Sequence, residues 1–317
     1  MNLPSAIATK DLVKKYGRRR ALDGFTLSVP HGSILGLVGP NGAGKTTWMM
    51  VVAGFIRANA GEIDVLGKGA FDARIHAGRL AILPQDSELP LESRPRDLLY
   101  RFGRLQGLDA AAARKSASDI LDAVNLSDRA DATIRSLSHG MRKRVMLAQC
   151  FVGNPEVVLL DEPLNGLDPA ECARMRRFIA ACRGRRTIVV SSHNLHDIEV
   201  ICTHAAFVDA GRVTSFSTLG SITQASGRIV YTLAARPADM AALEAAVPGA
   251  TLEWSDSEHA LTCVFRPEVG DAASINRRLL PALLAQTDIL AVTRGQSLEE
   301  AYLRATTGGD DPECTDV

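Results

Sequence analysis

The chain has 317 residues, 46% of them apolar, with 36 basic and 36 acidic side chains and a formal net charge of zero. That length accommodates one large α/β domain and a smaller companion, and the balanced charge supplies no polyanion-binding surface, so no nucleic-acid partner is expected. No apolar stretch reaches the roughly 18–20 residues that cross a bilayer, and residues 1–10 lack a basic start followed by an apolar core, so neither a spanning segment nor a signal peptide is expected.

Residues 7–13 and 25–29 alternate as two strands joined by residues 14–22, a hairpin-like β-layer. Tyr16 lies just upstream of the loop described next. Its ring either stacks on an adenine or closes a strand end. The basic run Arg18, Arg19, Arg20 reads as a solvated turn.

Residues 34–38 form a short apolar run suited to a buried parallel strand, and an apolar helix continues from Trp48 to about residue 56. Between them stands Gly39-Pro40-Asn41-Gly42-Ala43-Gly44-Lys45-Thr46-Thr47, a complete G-x-x-x-x-G-K-[ST] phosphate-binding loop in its required strand-loop-helix setting. Glycines let successive backbone N–H groups approach phosphate oxygens, and the helix start adds unpaired N–H groups and a positive dipole end. Lys45 then reaches the β- and γ-phosphates of a nucleoside triphosphate. Thr46 ligates Mg²⁺, and Thr47 meets the α- and β-phosphates.

Residues 61–67 and 80–85 are two further strands, the second ending in Gln85 at a carboxyl edge, within reach of Mg²⁺ or an attacking water. Residues 94–136 turn helical and read as an insertion into the α/β domain. Ser138 then caps a helix whose start is a second potential phosphate site, although the segment taken alone is only a capped helix. Residues 157–160 are a buried strand delivering Asp161 and Glu162 to the ligand edge of the sheet. Asp161 is suited to the Mg²⁺ shell and Glu162 to orienting or deprotonating water. Asp168 caps a helix whose first residue is Pro169, and the strand at residues 187–192 presents His193 at its end.

Six cysteines at 150, 172, 182, 202, 263 and 314 form no C-x-x-C pair and read as buried thiols of a reducing compartment. His193, His196, Cys202 and His204 match no standard metal-ligand spacing.

From about residue 7 to 220 the order of these motifs resembles the nucleotide-binding subunit of ABC transporters. The phosphate loop is followed by a Q-loop at Gln85, the signature Leu137-Ser138-His139-Gly140-Met141, the strand ending in Asp161 and Glu162, a D-loop at residues 166–168, and a switch His193. The resemblance implies a P-loop NTPase fold with a mixed core sheet, an antiparallel β subdomain and a helical subdomain, here over residues 5–222. It also implies ATP and Mg²⁺ as cofactors and a head-to-tail dimer, in which Ser138 and Gly140 face the γ-phosphate held by the other copy. Lys45, Thr46, Gln85 and Asp161 would hold phosphate and metal, Glu162 would polarise water, His193 would contact the γ-phosphate, and Tyr16 would stack on adenine. Hydrolysis would open the dimer and drive a separate membrane permease from the cytoplasmic face. The signature departs from the usual Leu-Ser-Gly-Gly-Gln at His139 and Met141, which bears on rate and on pH response. An ABC-type ATPase acting on ribosomes or DNA is the alternative, as is a regulatory nucleotide-binding module. The chain shows neither the tandem cassettes nor the long coiled coil of the former, and it retains the Glu162 and His193 that the latter does not need.

Residues 227–305 read as β-α-β-β-α-β-α, a small α+β domain similar to the C-terminal domain of exporter ATPase subunits through the Ser-Leu-Glu-Glu-x-Tyr-Leu run at residues 297–303. Residues 306–317, acidic and glycine-containing, are expected to be a disordered tail.

Overall fold

The computed structural model describes residues 5–220 and 227–294, together with Leu298. The chain separates into two compact units, residues 1–216 and 217–317. The expected helix at residues 297–304, with the run that carries the exporter resemblance, lies outside the described residues apart from Leu298, and so does the expected tail.

In the first unit β1 (Ser5–Tyr16), β2 (Arg19–Pro30) and β4 (Ala60–Val65) form an antiparallel sheet in the order β2-β1-β4. Both hairpin strands are longer than the alternation suggests, because charged side chains occupy exposed strand positions at Lys15, Arg19 and Arg20 and hide the period. What joins them is a two-residue turn of Gly17 and Arg18, with Gly17 at φ 59°. Tyr16 and Arg19 are therefore paired neighbours at the hairpin tip.

The core sheet runs β5-β6-β7-β3-β8-β9. Its strands β5 (Leu80–Leu83), β6 (Val157–Asp161), β7 (Thr187–Ser191), β3 (Ile34–Val38) and β8 (His204–Asp209) pair in parallel, and β9 (Arg212–Thr218) closes the edge. Every residue of β3, β6 and β7 is buried, as parallel strands covered on both faces require. Each full burial of a branched aliphatic side chain contributes about 1.5–3 kcal/mol. Helix α1 (Lys45–Val52) joins the two sheets through Trp48, whose ring stacks on Phe25 at 5.8 Å and whose indole N–H donates to Thr9 Oγ1 at 3.2 Å.

The short α2 (Ala73–His76) precedes β5. The helical insertion is α3 (Pro95–Leu105) and α4 (Ala110–Ala123), the second capped by Asp109, with two short 3₁₀ turns after it. Helix α5 (His139–Gln149) leads into β6, α6 (Pro169–Ala180) follows it, and α7 (Leu195–Ile201) precedes β8. No element is assigned to residues 194–220 by the sequence analysis, yet α7, β8 and β9 all form there. The β8–β9 hairpin turns on Ala210 at φ 45° and Gly211 at φ 78°.

In the second unit β10 (Arg228–Leu233), α8 (Met240–Ala246), β11 (Thr251–Ser255), β12 (Ala260–Val264), α9 (Ala272–Leu284) and β13 (Ile289–Arg294) make an antiparallel sheet ordered β11-β12-β10-β13. This is the split β-α-β arrangement of ferredoxin-like folds. Its core gathers Ile229, Tyr231 and Leu233 of β10 with Leu243 of α8 and Ile275, Leu279 and Leu283 of α9. The α9 residues follow the helical spacing of 4 because they occupy one face of the helix.

The five cysteines among the described residues are free thiols, but Cys172 and Cys182 are only half-buried, which corrects the expectation that all are interior. Burial pushes the Cys150 thiol up to about 12 and the Cys263 thiol to about 11. Both are therefore inert toward oxidation at neutral pH.

Candidate functional site

Strand β3 hands the chain to the phosphate loop beside the end of β8. A side chain on Gly39 would put its Cβ 2.1 Å from the Val208 carbonyl oxygen, so only glycine fits. Gly44, at φ 112°, is the N-cap of α1 and carries no side-chain cap; a Cβ there would meet the Ala21 carbonyl oxygen at 2.6 Å. The first-turn N–H groups of α1 are thus left for an anion. The β8–β9 turn buttresses this loop, since Gly211 N donates to Ala43 O at 2.9 Å while Asp23 N donates to Gly211 O at 2.9 Å.

Lys45 doubles back over the loop, its Nζ donating to Gly39 O at 2.7 Å and Pro40 O at 3.1 Å. Burial holds its ammonium below the ordinary lysine range, while the Glu162 and Asp161 carboxylates push in the other direction. A triphosphate would restore the charge partner that burial withholds.

At the end of β6, Asp161 is buried and pairs in register with Ser191 of β7. Ser191 Oγ donates to Asp161 Oδ1 and accepts from Glu162 N at 2.9 Å, so one hydroxyl fixes both acidic residues. Glu162 leaves the strand at φ 49°, a left-handed conformation that costs a non-glycine residue about 1–3 kcal/mol. Its Oε2 lies 3.0 Å from His193 Nδ1. A carboxylate can only accept, so Nδ1 carries the proton and Nε2 of the exposed imidazole is the nitrogen left for a ligand.

These groups surround a cavity of about 480 Å³. Of the residues singled out in the sequence, Tyr16, Asn41, Gly42, Gly44, Lys45, Thr46, Thr47, Gln85, Asp161 and Glu162 line it. Gly39 and Pro40 accept from Lys45 and Ala43 accepts from Gly211 through their carbonyls, and His193 reaches the cavity wall through Glu162. Tyr16 is half-exposed, with the Lys14 ammonium 5.2 Å from its ring centroid.

Ser138, Gly140 and Asp168 do not line the cavity. Ser138 Oγ caps α5 by accepting from Met141 N at 3.2 Å, and Asp168 Oδ1 caps α6 by accepting from Glu171 N at 2.9 Å. The two caps are neighbours: a Cβ on Gly166 would lie 3.5 Å from His139 Nε2, and one on Gly140 would lie 3.3 Å from Glu171 Cγ. The signature segment thus rests on the turn after β6.

Three contributors were not singled out in the sequence. Arg19 lines the cavity and its Nη2 donates to Gly42 O at 3.3 Å, which corrects its reading as part of a solvated turn. Ala21 joins it on the wall, and Ser191 sets the acidic pair. The alternation of Arg19 and Ala21 along β2 was the available signal.

A family profile described as ABC transporter matches residues 22–165. The daunorubicin resistance ATP-binding protein DrrA3 of Streptomyces coeruleorubidus is 32% identical over 313 residues, covering 97% of this chain and 97% of that protein. The chain belongs to the ABC transporter family. The Nod factor export ATP-binding protein I of Ralstonia nicotianae is 34% identical over 65% of this chain and 65% of its own length. Among solved structures, an ATP-binding subunit of an ABC transporter superposes with a TM-score of 0.62 at 25% identity, over 70% of this chain and 93% of that one. A nucleotide-free ATP-binding cassette matches in fold at a TM-score of 0.60 and 23% identity, over 68% of this chain and 91% of that one. This ABC protein is accordingly an ATP-binding subunit and an ATPase, with a P-loop cassette fold in its first unit.

Proposed function

We propose that two copies of this ABC subunit close head to tail on ATP and Mg²⁺, hydrolyse the γ-phosphate bond, and so drive export through a separate membrane permease from its cytoplasmic face. The carrying observation is that the phosphate loop, Gln85, Asp161 and Glu162 share one cavity while Ser138 and Gly140 stand outside it. One chain then supplies a binding half and a signature half that belong to different sites.

Lys45 and the N–H groups of the loop bind the β- and γ-phosphates, and Thr47 receives the α- and β-phosphates. The hydroxyl of Thr46, the amide oxygen of Gln85 and the carboxylate of Asp161 are hard oxygen donors of the kind Mg²⁺ takes. Mg²⁺ held there supplies neutralisation of charge on the phosphate oxygens. Glu162, fixed by Ser191 and His193, orients the attacking water and accepts its proton, and His193, with Nε2 protonated as well as Nδ1, donates to the γ-phosphate. Asp168 holds the turn on which the partner-facing signature rests. Arg19 reinforces the loop through its bond to the Gly42 carbonyl.

Export as the direction is supported by the names of the two relatives, one a drug-resistance and one an export protein. No helix among the described residues is long and apolar enough to cross a membrane. We place the ATPase domain at residues 5–222 and the accessory domain at residues 227–305, a division supported by the separation into two compact units. The reading is tested by reconstituting the chain with its membrane subunit in sealed vesicles. Cargo movement that requires hydrolysable ATP and stops on chelation of Mg²⁺ is expected; futile hydrolysis with no movement of any cargo would overturn it.

Adenine stacking on Tyr16 is tested separately. Base–aromatic stacking contributes about 1–3 kcal/mol, so Tyr16→Ala should raise KM for ATP roughly 5- to 150-fold with kcat little changed, and Tyr16→Phe should restore it. Steady-state kinetics at fixed Mg²⁺ reads both constants. An unaltered KM in Tyr16→Ala would return the ring to a strand-end role.

A further inference from the structure

Arg144, on the second turn of α5, is 4% exposed, and its side chain joins its own helix to two other elements. Its Nη1 donates to Val124 O at 2.9 Å and Asn125 O at 2.8 Å, the carbonyls that end α4 of the helical insertion. Its Nε lies 3.0 Å from Glu171 Oε2 in the first turn of α6, on the helix that Asp168 caps. Glu171 in turn packs its Cγ 3.3 Å from where a side chain on Gly140 would begin. One guanidinium therefore ties the insertion, the signature helix and the turn that follows Glu162.

The bonds to the α4 carbonyls stabilise that contact, but stability does not account for the pair with Glu171. Desolvating two charges commonly outweighs their attraction, and a buried pair is retained at a cost unless its geometry is good. Here the geometry is not good: Nε and Oε2 face each other as an ion pair, and neither has a hydrogen-bond partner. Arginine differs from lysine in its rigid planar fork, which donates to the α4 carbonyls while it sets its charge beside Glu171 of α6.

We propose that Arg144, through Glu171, is a positioning residue for hydrolysis: it fixes the signature segment relative to the turn after Glu162, so that Ser138 and Gly140 meet the partner copy's nucleotide in register. This rests on the two-copy reading above. Neither side chain lines the nucleotide cavity, so binding of ATP by the chain's own half-site does not depend on them. Turnover does, because a displacement of about 1 Å in a reacting constellation costs on the order of 100-fold in rate.

The test compares Arg144→Lys and Glu171→Gln with wild type by steady-state ATP hydrolysis over a range of chain concentrations, normalised to folded protein by thermal unfolding. Lysine keeps the buried charge but cannot reach both helices; glutamine keeps the shape of Glu171 without its charge. Both are expected to lower kcat at least about tenfold, short of the limit set by a full 1 Å displacement, with KM for ATP within about threefold of wild type. A purely structural pair would lower the unfolding midpoint and leave kcat per folded chain unchanged, and that outcome overturns the proposal. If one variant does not fold, the other decides. Failure of the two-copy reading is separately visible, because wild-type specific activity would then be independent of chain concentration.

Discussion

Glu162→Gln is expected to lower kcat for ATP hydrolysis by roughly 10²–10⁴-fold, the range a positioned general base supplies, while ATP affinity stays within about threefold of wild type. The substitution keeps nearly every contact of the native side chain. Its amide oxygen still accepts from His193 Nδ1, and its backbone N–H still donates to Ser191 Oγ, as the native residue does at 3.0 and 2.9 Å. What it removes is the ability to take a proton from water. The variant should therefore bind ATP and remain paired with its partner, visible as an ATP-dependent doubling of mass in light scattering. If Glu162→Gln hydrolyses ATP at the wild-type rate, water activation lies elsewhere and the strained backbone at Glu162 needs another explanation.

Lys45→Met is the second large effect, and it falls on binding instead of turnover. A hydrogen bond from an ammonium to a charged acceptor contributes about 1.5–3 kcal/mol, so losing the contacts to the β- and γ-phosphates should weaken ATP by roughly 100-fold, and ADP by less. Folding should change little, by no more than about 1–2 kcal/mol. Methionine leaves Gly39 O and Pro40 O without their lysine donor, but it also relieves the desolvation that holds the Lys45 ammonium below its ordinary range. Titration calorimetry with ATP and ADP reads the affinities, and undiminished ATP binding would remove Lys45 from the site.

How much of this was legible in the sequence depends on how local each signal is. The phosphate loop, the apolar run ending in Asp161 and Glu162, and the Asp168–Pro169 helix start each depend on a few adjacent residues, and each is found in the element expected of it. The hairpin tip was hidden because Lys15, Arg19 and Arg20 look like a solvated turn until their strand pairing is known, and Arg19 then proves to line the cavity. Ser191 is an ordinary strand residue by sequence. Its importance comes from register, which sets it opposite Asp161 across β6 and β7. Residues 204–218 form a hairpin whose turn supports the phosphate loop from more than 160 positions away, a contact that no periodicity announces. In the second unit the order of elements through β13 was readable, because each obeys its own period. The strand order β11-β12-β10-β13 was not, since it depends on which faces the two helices cover. Arg144 is the same lesson at the scale of one side chain: the sequence marks only the capped helix that carries it, and its burial between α4 and α6 comes from the fold.

The division of the site between copies is tested most directly by mixing two inactive chains. Lys45→Met disables the binding half. Ser138→Asp keeps an N-cap for α5 but sets a negative charge against the partner's nucleotide. At an ATP concentration that saturates wild type but lies far below the weakened affinity of Lys45→Met, each variant alone has both of its composite sites spoiled and should show no more than background hydrolysis. Random pairing of equal amounts makes about half the dimers mixed, each with one intact site, so the mixture should recover about a quarter of wild-type activity. Activity that stays at the mean of the two separate variants, with both folded and able to associate, would mean that each chain works from its own residues alone.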